Sequence, residues 1–260
     1  MKKKKRSKTR FKILIALIVL AFVLLFLLFA PIFNIKHIEV MGSERYTDEE
    51  IIAASGISIG ENGFKRLSMN PKSLFELRIL DGEEKIQQLP YVNTCTVSIV
   101  FPNKVFIQIT DRKPAAYLVY FDNFLTVDEQ GFVLEAGHSE PSGDLEEIRG
   151  IDFSRYTLGG QLEVSDISLI RIGVEIINTI KSSDGNSEIK LADVLDWVDM
   201  ISENDTMVSL DNRIIVRFNP KDKLQYVVDF TKEIFFKKIS AQESGRLEFS
   251  GDQNPSFIPD

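Results

Sequence analysis

The sequence predicts an α+β protein in three parts: one apolar helix, a small domain with the order strand, helix, helix, strand, strand, and a larger mixed α+β domain with a multi-stranded sheet. Three observations support this prediction. A charge-free apolar run occupies residues 13–30. Two strongly alternating strands close the segment 34–112, and a strand-rich region with two amphipathic helices follows. Strands and helices that mix in this way favour an α+β architecture.

The apolar run indicates a membrane segment. It contains eighteen residues, and eight Lys or Arg precede it. At about 1.5 Å per residue it spans about 27 Å as a helix, close to the hydrocarbon thickness of a bilayer. We therefore predict a basic cytoplasmic tail over 1–12, a transmembrane helix over 13–33 and an extracytoplasmic remainder. A cleaved signal peptide is the alternative, but its apolar region is normally shorter and Pro31 disfavours cleavage.

Charge and cysteine content restrict the partners and the bonds available to the chain. The net charge is −7, and none of the 38 acidic residues lies in the first 33 positions. The domain after the apolar run is therefore expected to be repelled by nucleic acid and by anionic wall polymers. Cys95 is the only cysteine, which excludes an internal disulfide. A buried strand position is the simpler expectation for it than a reactive thiol.

The segment 34–112 is predicted to begin with a strand over 33–40 and a short helix. Thr47 and Glu50 form a capping box, in which each side chain accepts a hydrogen bond from the backbone of the other residue. Gly56 is expected to end this helix, because glycine adopts the left-handed conformation that helix ends often require.

A second helix is predicted from Asn70-Pro71, an N-cap followed by proline at the first helical position. Its apolar stripe extends to Leu89, with an interruption expected at Asp81-Gly82. Two strands follow around a turn at 101–104, and their alternation predicts inward-facing side chains. These are Cys95, Val97, Ile99, Val105, Ile107 and Ile109.

The segment 113–250 is predicted to be the larger domain, and 251–260 an irregular C-terminal tail. Amphipathic helices are expected at 166–181 and 223–238, and Asp211-Asn212 is expected to form a hairpin turn. Short strands are predicted at 117–120, 124–127, 132–135, 189–198, 206–210, 213–218 and 246–250.

No catalytic, metal or cofactor site is predicted. The chain has only two histidines, His37 and His138, and neither stands in a pattern typical of a hydrolytic triad or a metal site. No glycine-rich loop leads into a helix with the Lys-Ser/Thr of a phosphate site. Trp197 is expected to be a core residue, with an interface anchor as the alternative.

An ordered set of motifs resembles the bacterial cell-division family FtsQ/DivIB. The motifs are Phe33-Asn34-Ile35, Tyr46-Thr47, Leu89-Pro90-Tyr91-Val92, Phe101-Pro102-Asn103, Asp111-Arg112-Lys113-Pro114-Ala115-Ala116, Leu125-Thr126-Val127-Asp128, Leu158-Gly159-Gly160 and Gly245-Arg246-Leu247-Glu248-Phe249-Ser250. Those up to Ala116 resemble the family's POTRA domain, a polypeptide-transport-associated module. Gly63 and the long segment 65–85 depart from the family pattern.

The resemblance implies a function in binding. Members of that family form a complex with two other single-span, coiled-coil division proteins, and they help to recruit and regulate septal peptidoglycan synthesis. Their last strand accepts a partner strand, as exposed strand edges can. The resemblance therefore implies partner-binding residues at Arg246, Leu247, Glu248, Phe249 and Ser250, no cofactor, and a location at the division septum.

Two other classes of function compete with this hypothesis. One is a membrane-anchored sensor or transport-associated module unrelated to division. The other is an anchored extracytoplasmic enzyme, against which the lack of a catalytic pattern counts. A midcell location would favour the division hypothesis, and a uniform membrane signal would favour the sensor.

Overall fold

The computed structural model describes residues 4–68, 70–141, 145–185, 187–249 and 255–260. The chain divides into two units, Met1–Asp111 and Arg112–Asp260. The elements of the first unit are α1 (Lys4–Phe29), β1 (His37–Met41), α2 (Asp48–Ser55), α3 (Pro71–Phe75), α4 (Leu80–Ile86), β2 (Val92–Val100) and β3 (Lys104–Asp111). Those of the second unit are β4 (Ala116–Tyr120), β5 (Asn123–Val127), β6 (Val133–Gly137), β7 (Glu147–Arg149), α5 (Ser168–Asp184), β8 (Leu195–Ser202), β9 (Asp205–Leu210), β10 (Ile214–Phe218), α6 (Leu224–Lys237), β11 (Gly245–Glu248) and β12 (Ser256–Pro259).

Helix α1 covers most of the range 13–33, over which the sequence predicts a transmembrane helix. It ends at Phe29, and a short 3-10 turn, Pro31–Phe33, follows it. Among the residues that the structure describes, no helix is both long enough and apolar enough to cross a membrane.

A three-stranded sheet in the order β1-β3-β2 forms the centre of the first unit. β1 lies parallel to β3, and β2 lies antiparallel to it. The predicted alternation of both hairpin strands is confirmed, because the six side chains expected to face inward are buried. They pack with buried residues of α2 and α4, including Ile51 and Ile86, so one sheet face and these two helices share a core.

The predicted capping box at the start of α2 is confirmed. The Glu50 N–H donates to Thr47 Oγ1 at 3.3 Å, and the Thr47 N–H donates to Glu50 Oε2 at 2.9 Å. Gly56 ends the helix with a φ of 64°, as the sequence predicts. Both ends of α2 are therefore correctly predicted from local sequence signals.

The interruption predicted at Asp81-Gly82 is wrong, because both residues lie inside α4. The helical segment breaks earlier, at Leu77, whose φ is 55°. From there the chain runs beside β2: the Ile79 N–H donates to the Val97 carbonyl at 2.8 Å, and the Ile99 N–H donates to the Leu77 carbonyl at 2.9 Å. Pairing with β2 thus takes this stretch out of the helix.

Three other boundaries differ from the predictions. The strand expected at 33–40 begins only at His37, since the 3-10 turn occupies its start. Helix α5 continues past 181 to Asp184. The strand expected at 189–198 begins at Leu195, after a 3-10 turn, Ala192–Val194.

Within the described residues of the second unit, nine strands form one sheet in the order β12-β11-β10-β9-β8-β7-β4-β5-β6. Asp211 and Asn212, with φ of 55° and 50°, lie at the centre of the turn between β9 and β10, as predicted, and the Arg213 N–H closes this turn on the Leu210 carbonyl. β7 is a three-residue strand that the sequence pattern does not indicate, and it pairs in parallel with both β4 and β8.

Helices α5 and α6 pack against one face of this sheet. Their apolar faces contribute Ile170, Ile177 and Val227 to a core shared with the buried strand residues. Alternate residues of the strands point to the opposite face. Trp197, expected in the core, is half-buried there with the Arg149 guanidinium 4.7 Å from its ring centroid.

Asp184 connects the end of α5 to the chain before β8 and to α6. Its carboxylate accepts the Leu191 and Ala192 N–H groups at 2.8 and 2.9 Å and the Lys232 ammonium at 2.6 Å. Burial is the largest effect on the pKa of Asp184 and raises it. Lys232 and the two N–H groups together outweigh burial, so the pKa lies below its ordinary value.

This depressed pKa predicts a loss of stability in acid. A carboxylate with a lowered folded pKa stabilises the fold above its unfolded pKa, about 3.9, and loses that contribution as the pH falls through the folded pKa. We expect the urea midpoint of the second unit to fall over this range, and to fall less steeply in Asp184→Asn, which cannot titrate. Equal pH dependence of both proteins would contradict the assignment.

Candidate partner-binding edge

The segment predicted to be the last strand, 246–250, is not the last strand of the sheet. β11 spans Gly245–Glu248 and lies between two neighbours, parallel to β10 and antiparallel to β12. The expectation that 251–260 is irregular is wrong in part, since β12 lies in it. Among the described strands, the open edge at this end of the sheet is therefore β12.

The five predicted partner-binding residues have different surroundings. Arg246 is exposed and Glu248 half-buried, and the Arg246 Nη1 lies 3.4 Å from Glu248 Oε1. Leu247 is buried in the core, and Phe249 packs against that core. Ser250 lies outside the described residues. Of the four predicted residues that the structure describes, Arg246 and Glu248 thus offer polar side chains to a partner near the edge.

Arg213 holds the turn that leads into β11. Its Nη1 donates to the carbonyls of Ser240 and Glu243 at 3.1 and 2.9 Å, and its Nε donates to Asp211 Oδ2 at 2.9 Å. Its guanidinium also lies 4.7 Å from the ring centroid of Phe235 on α6. The α6–β11 connection is thereby tied to the β9–β10 turn, which fixes the position of the edge strands.

Opposite charges are paired across the sheet face beside the edge. Arg217 on β10 donates to both carboxylate oxygens of Asp205 at 2.8 and 2.6 Å. This hydrogen bonding lowers the pKa of Asp205 and raises the pKa of Arg217. Arg217 is directly opposite Glu248 in the strand register. The positive charges of Arg217 and Arg246 on this part of the face are therefore balanced by the negative charges of Asp205 and Glu248.

The backbone groups of β12 divide between β11 and the open side. The Asp260 N–H donates to the Ser244 carbonyl at 3.2 Å. Because N–H and C=O directions alternate along an antiparallel strand, Ser256 and Ile258 also face β11. Phe257 and Pro259 face outward, and proline carries no N–H. The open edge of the strand therefore offers one N–H, that of Phe257, together with outward carbonyls.

Two prolines, Pro255 and Pro259, flank this outward amide and limit the number of backbone N–H groups that the edge can offer to another strand. Edge strands often carry proline, which blocks pairing with unrelated chains. The prolines also explain why the sequence pattern does not indicate β12, since proline usually argues against a strand. The alternating Ser256-Phe257-Ile258 between them is the signal that could have indicated an edge strand.

The opposite edge of the sheet is partly covered. The Val133 N–H of β6 donates to the Gly160 carbonyl at 2.9 Å, and the Gly159 N–H donates to the Val133 carbonyl at 2.8 Å. Phe132 and Gln161 form an isolated bridge beside them. The loop 159–161 thus occupies the first part of this edge, which leaves β12 as the more open one.

The side chains that could carry chemistry are dispersed. His37 is exposed, and His138 Nδ1 lies 3.3 Å from the Asp122 carbonyl. In the described part of the chain, no group of three or more His, Cys, Asp or Glu side chains is suited to a metal ion. Cys95 is buried as predicted, and burial, with a smaller effect of Glu83, raises the pKa of its thiol to about 12.

Comparisons with known proteins agree with this architecture. Residues 33–112 match the domain family described as POTRA domain, FtsQ-type. The cell division protein DivIB of Clostridium acetobutylicum is 25% identical over 228 residues, which cover 87% of this chain and 83% of that protein. The cell division protein FtsQ of Corynebacterium glutamicum is 27% identical over 175 residues, which cover 66% of this chain and 68% of that protein.

Among solved structures, the chain is similar to the major extracytoplasmic domain of the trans isomer of DivIB from Geobacillus stearothermophilus. The match is 12% identical with a TM-score of 0.32, and it covers 50% of this chain and 99% of that one. The family match of residues 33–112, which we call the POTRA domain, and the two sequence relatives confirm the predicted resemblance to the FtsQ/DivIB cell-division family.

Proposed function

We propose that the chain is a non-enzymatic, membrane-attached cell-division protein that binds other division proteins and helps control septal peptidoglycan synthesis. The names of its relatives, DivIB and FtsQ, support the division role. The single structural observation that carries the binding role is the open edge of the nine-stranded sheet at β12.

The proposed partners are the single-span, coiled-coil division proteins that the family resemblance implies. A partner strand that pairs with β12 would receive the Phe257 N–H and donate to the outward carbonyls, as in other cases of strand addition. The paired charges of Arg246 and Glu248 lie one strand inward and would contact side chains of the same partner. The proposed site thus combines backbone hydrogen bonds at β12 with the charged side chains of Arg246 and Glu248 on the adjacent strand.

Membrane attachment is proposed from the N-terminal sequence. The run over 13–30 is uninterrupted by charge, and eight basic residues precede it. Such a run favours a bilayer, and the basic tail favours the cytoplasmic side. The POTRA domain and the nine-stranded sheet would then lie outside, where the partners' extracytoplasmic segments are accessible.

The outward amide of Phe257 provides a sharp test. Phe257→Pro removes this N–H and the side-chain packing, whereas Phe257→Ala removes the packing alone. Because the amide faces away from β11, both variants keep the bonds between β11 and β12. We expect Phe257→Pro to bind the coiled-coil partner about tenfold more weakly than Phe257→Ala, about 1.4 kcal/mol, in a calorimetric titration.

Circular dichroism melts of both variants control for folding. Equal affinities of the two folded variants would rule out strand addition at β12. Fluorescent fusions of the full chain test the division role itself: a midcell band is expected for the wild type. A uniform membrane signal would contradict the division role and favour the sensor hypothesis.

A further inference from the structure

The end of α1 enters the POTRA domain without a flexible linker. Ala30 is buried, and its carbonyl accepts a hydrogen bond from Asn62 Nδ2 at 3.2 Å. Asn62 Oδ1 in turn accepts the Phe64 N–H at 3.0 Å. Asn62 therefore ties the residue directly after the helix to the 3-10 turn Gly63–Arg66 of the domain.

The next residues are paired with the same part of the domain. Asn34 and Asn62 form an antiparallel bridge, the Ile35 N–H donates to the Glu61 carbonyl at 2.7 Å, and the Gly60 N–H donates to the Ile35 carbonyl at 2.8 Å. The segment 30–35 is thus part of the domain fold. The surface around it has a fixed position relative to the end of α1.

That surface is apolar and aromatic. The ring of Phe33 lies 4.9 Å from Phe64 and 6.0 Å from Phe101, and Phe64 lies 5.4 Å from Phe101, measured between centroids. We name Ile32, Phe33, Phe64, Val100 and Phe101 the foot cluster. Its exposed members are Ile32, Val100 and Phe101, the last with 47% of its surface exposed.

The exposed side chains of α1 precede this cluster along the chain. All side chains from 11 to 26 on α1 are exposed, and the foot cluster begins at Ile32, two residues after the apolar run ends. Two exposed lysines, Lys36 and Lys65, flank the cluster along the chain. Phenylalanine and other apolar side chains with neighbouring lysines are typical of segments that lie in the headgroup region of a bilayer. A lipid surface fits both the position and the chemistry of the cluster.

We propose that the foot cluster inserts into the headgroup region of the bilayer and holds the POTRA domain against the membrane. This inference rests on the membrane attachment proposed above. It adds a second, specific contact: the domain touches lipid through the exposed side chains of Ile32, Val100 and Phe101, and is not attached through α1 alone.

A nitroxide attached at Phe101→Cys in the full chain tests this contact. Cys95 is buried with a raised thiol pKa, so the introduced thiol is labelled selectively. The protein is reconstituted into vesicles of phosphatidylcholine and phosphatidylglycerol, without any partner protein. Oxygen and a water-soluble nickel chelate then compete as relaxing agents for the nitroxide, and oxygen partitions into lipid.

We expect the ratio of oxygen to nickel accessibility at Phe101→Cys to be severalfold that of a nitroxide in buffer. Phe75→Cys is the matched control, because Phe75 belongs to the same unit, is 91% exposed and lies outside the foot cluster. Its ratio is expected to be that of water. Circular dichroism of both labelled proteins verifies that each is folded.

Flotation of the same vesicles on a sucrose gradient separates the two proposals. If the chain floats and the Phe101→Cys nitroxide has the ratio found in buffer, the lipid contact is overturned while membrane attachment stands. If the chain does not float with the vesicles, both are overturned. A floating chain with a lipid-like ratio at Phe101→Cys supports both.

Discussion

Replacing Arg112 with alanine is expected to lower the free energy of unfolding of the second unit by about 3–5 kcal/mol. Arg112 Nη1 donates to Asp128 Oδ2 at 2.7 Å, and the two side chains are only 10% and 6% exposed. Asp128 Oδ1 already accepts the N–H groups of Gln130 and Phe132, each at 2.9 Å. The alanine variant therefore leaves a buried carboxylate without its cation.

Arg112 also contributes through its planar shape. Its guanidinium lies 3.5 Å from the ring centroid of Phe132. Arg112→Lys keeps the charge but cannot reproduce this stacking together with the hydrogen bond to Asp128. We expect its loss of stability to fall between those of the wild type and the alanine variant, which separates the contribution of charge from that of stacking.

Arg155→Ala is the matched control for the ion pair. Arg155 donates to both carboxylate oxygens of Glu163, but these side chains are 73% and 70% exposed. Exposed pairs contribute about 0–1 kcal/mol, so little change is expected. Urea unfolding followed by the fluorescence of Trp197 reports on the second unit alone. Equal losses in both alanine variants would contradict the importance of burial at Arg112.

Replacing Gly42 with alanine is expected to destabilise the POTRA domain by more than about 3 kcal/mol. Gly42 follows β1 with a φ of 96°, a backbone conformation that residues other than glycine rarely adopt. A Cβ atom at this position would lie 2.1 Å from the carbonyl oxygen of Ile109 on β3. Backbone cannot rotate away as a side chain can, so β1 and β3 would have to separate.

Gly60 supplies the control for backbone strain. Its φ is 94°, nearly that of Gly42, but a Cβ atom there would meet nothing within 4 Å. Gly60→Ala is therefore expected to cost only the strain, about 1 kcal/mol. Hydrogen exchange of peptides from β1, β2 and β3 measures the difference. Similar exchange in the two variants would contradict the proposed clash.

The sequence correctly predicts the features that depend on residues close together in the chain. The capping box at Thr47, the glycine stop at Gly56 and the two alternating strands around Phe101 each follow from neighbouring residues. Leu77 is different, because its left-handed backbone exists only through the pairing of Ile79 with Val97 on β2. A contact between distant residues overrode the helical pattern, and no nearby residue indicates it.

The sequence predicts the strand next to the candidate site, β11, but not the edge strand β12 itself. The motif around Arg246 does form a strand beside the edge, but the edge itself is β12, which proline-flanked residues form by pairing with β11. β7 was also missed, since a three-residue strand is too short for a periodic pattern and forms only between β4 and β8. Both strands are defined by their pairing with neighbouring strands of the sheet and not by a periodic pattern of their own.

The shortness of β7 has a mechanical consequence. β7 joins β4–β6 to β8–β12, and its ladder to β4 contains a single residue pair, Tyr117 with Glu147. β8, β9 and β10 are joined by longer ladders that resist shear together. If β12 were pulled, the sheet would therefore be expected to separate first between β4 and β7, where the fewest residues are paired. Helix α5 packs on β7 so closely that a Cβ atom on Gly173 would lie 2.8 Å from Ile148, so any movement of β7 would have to displace this helix as well.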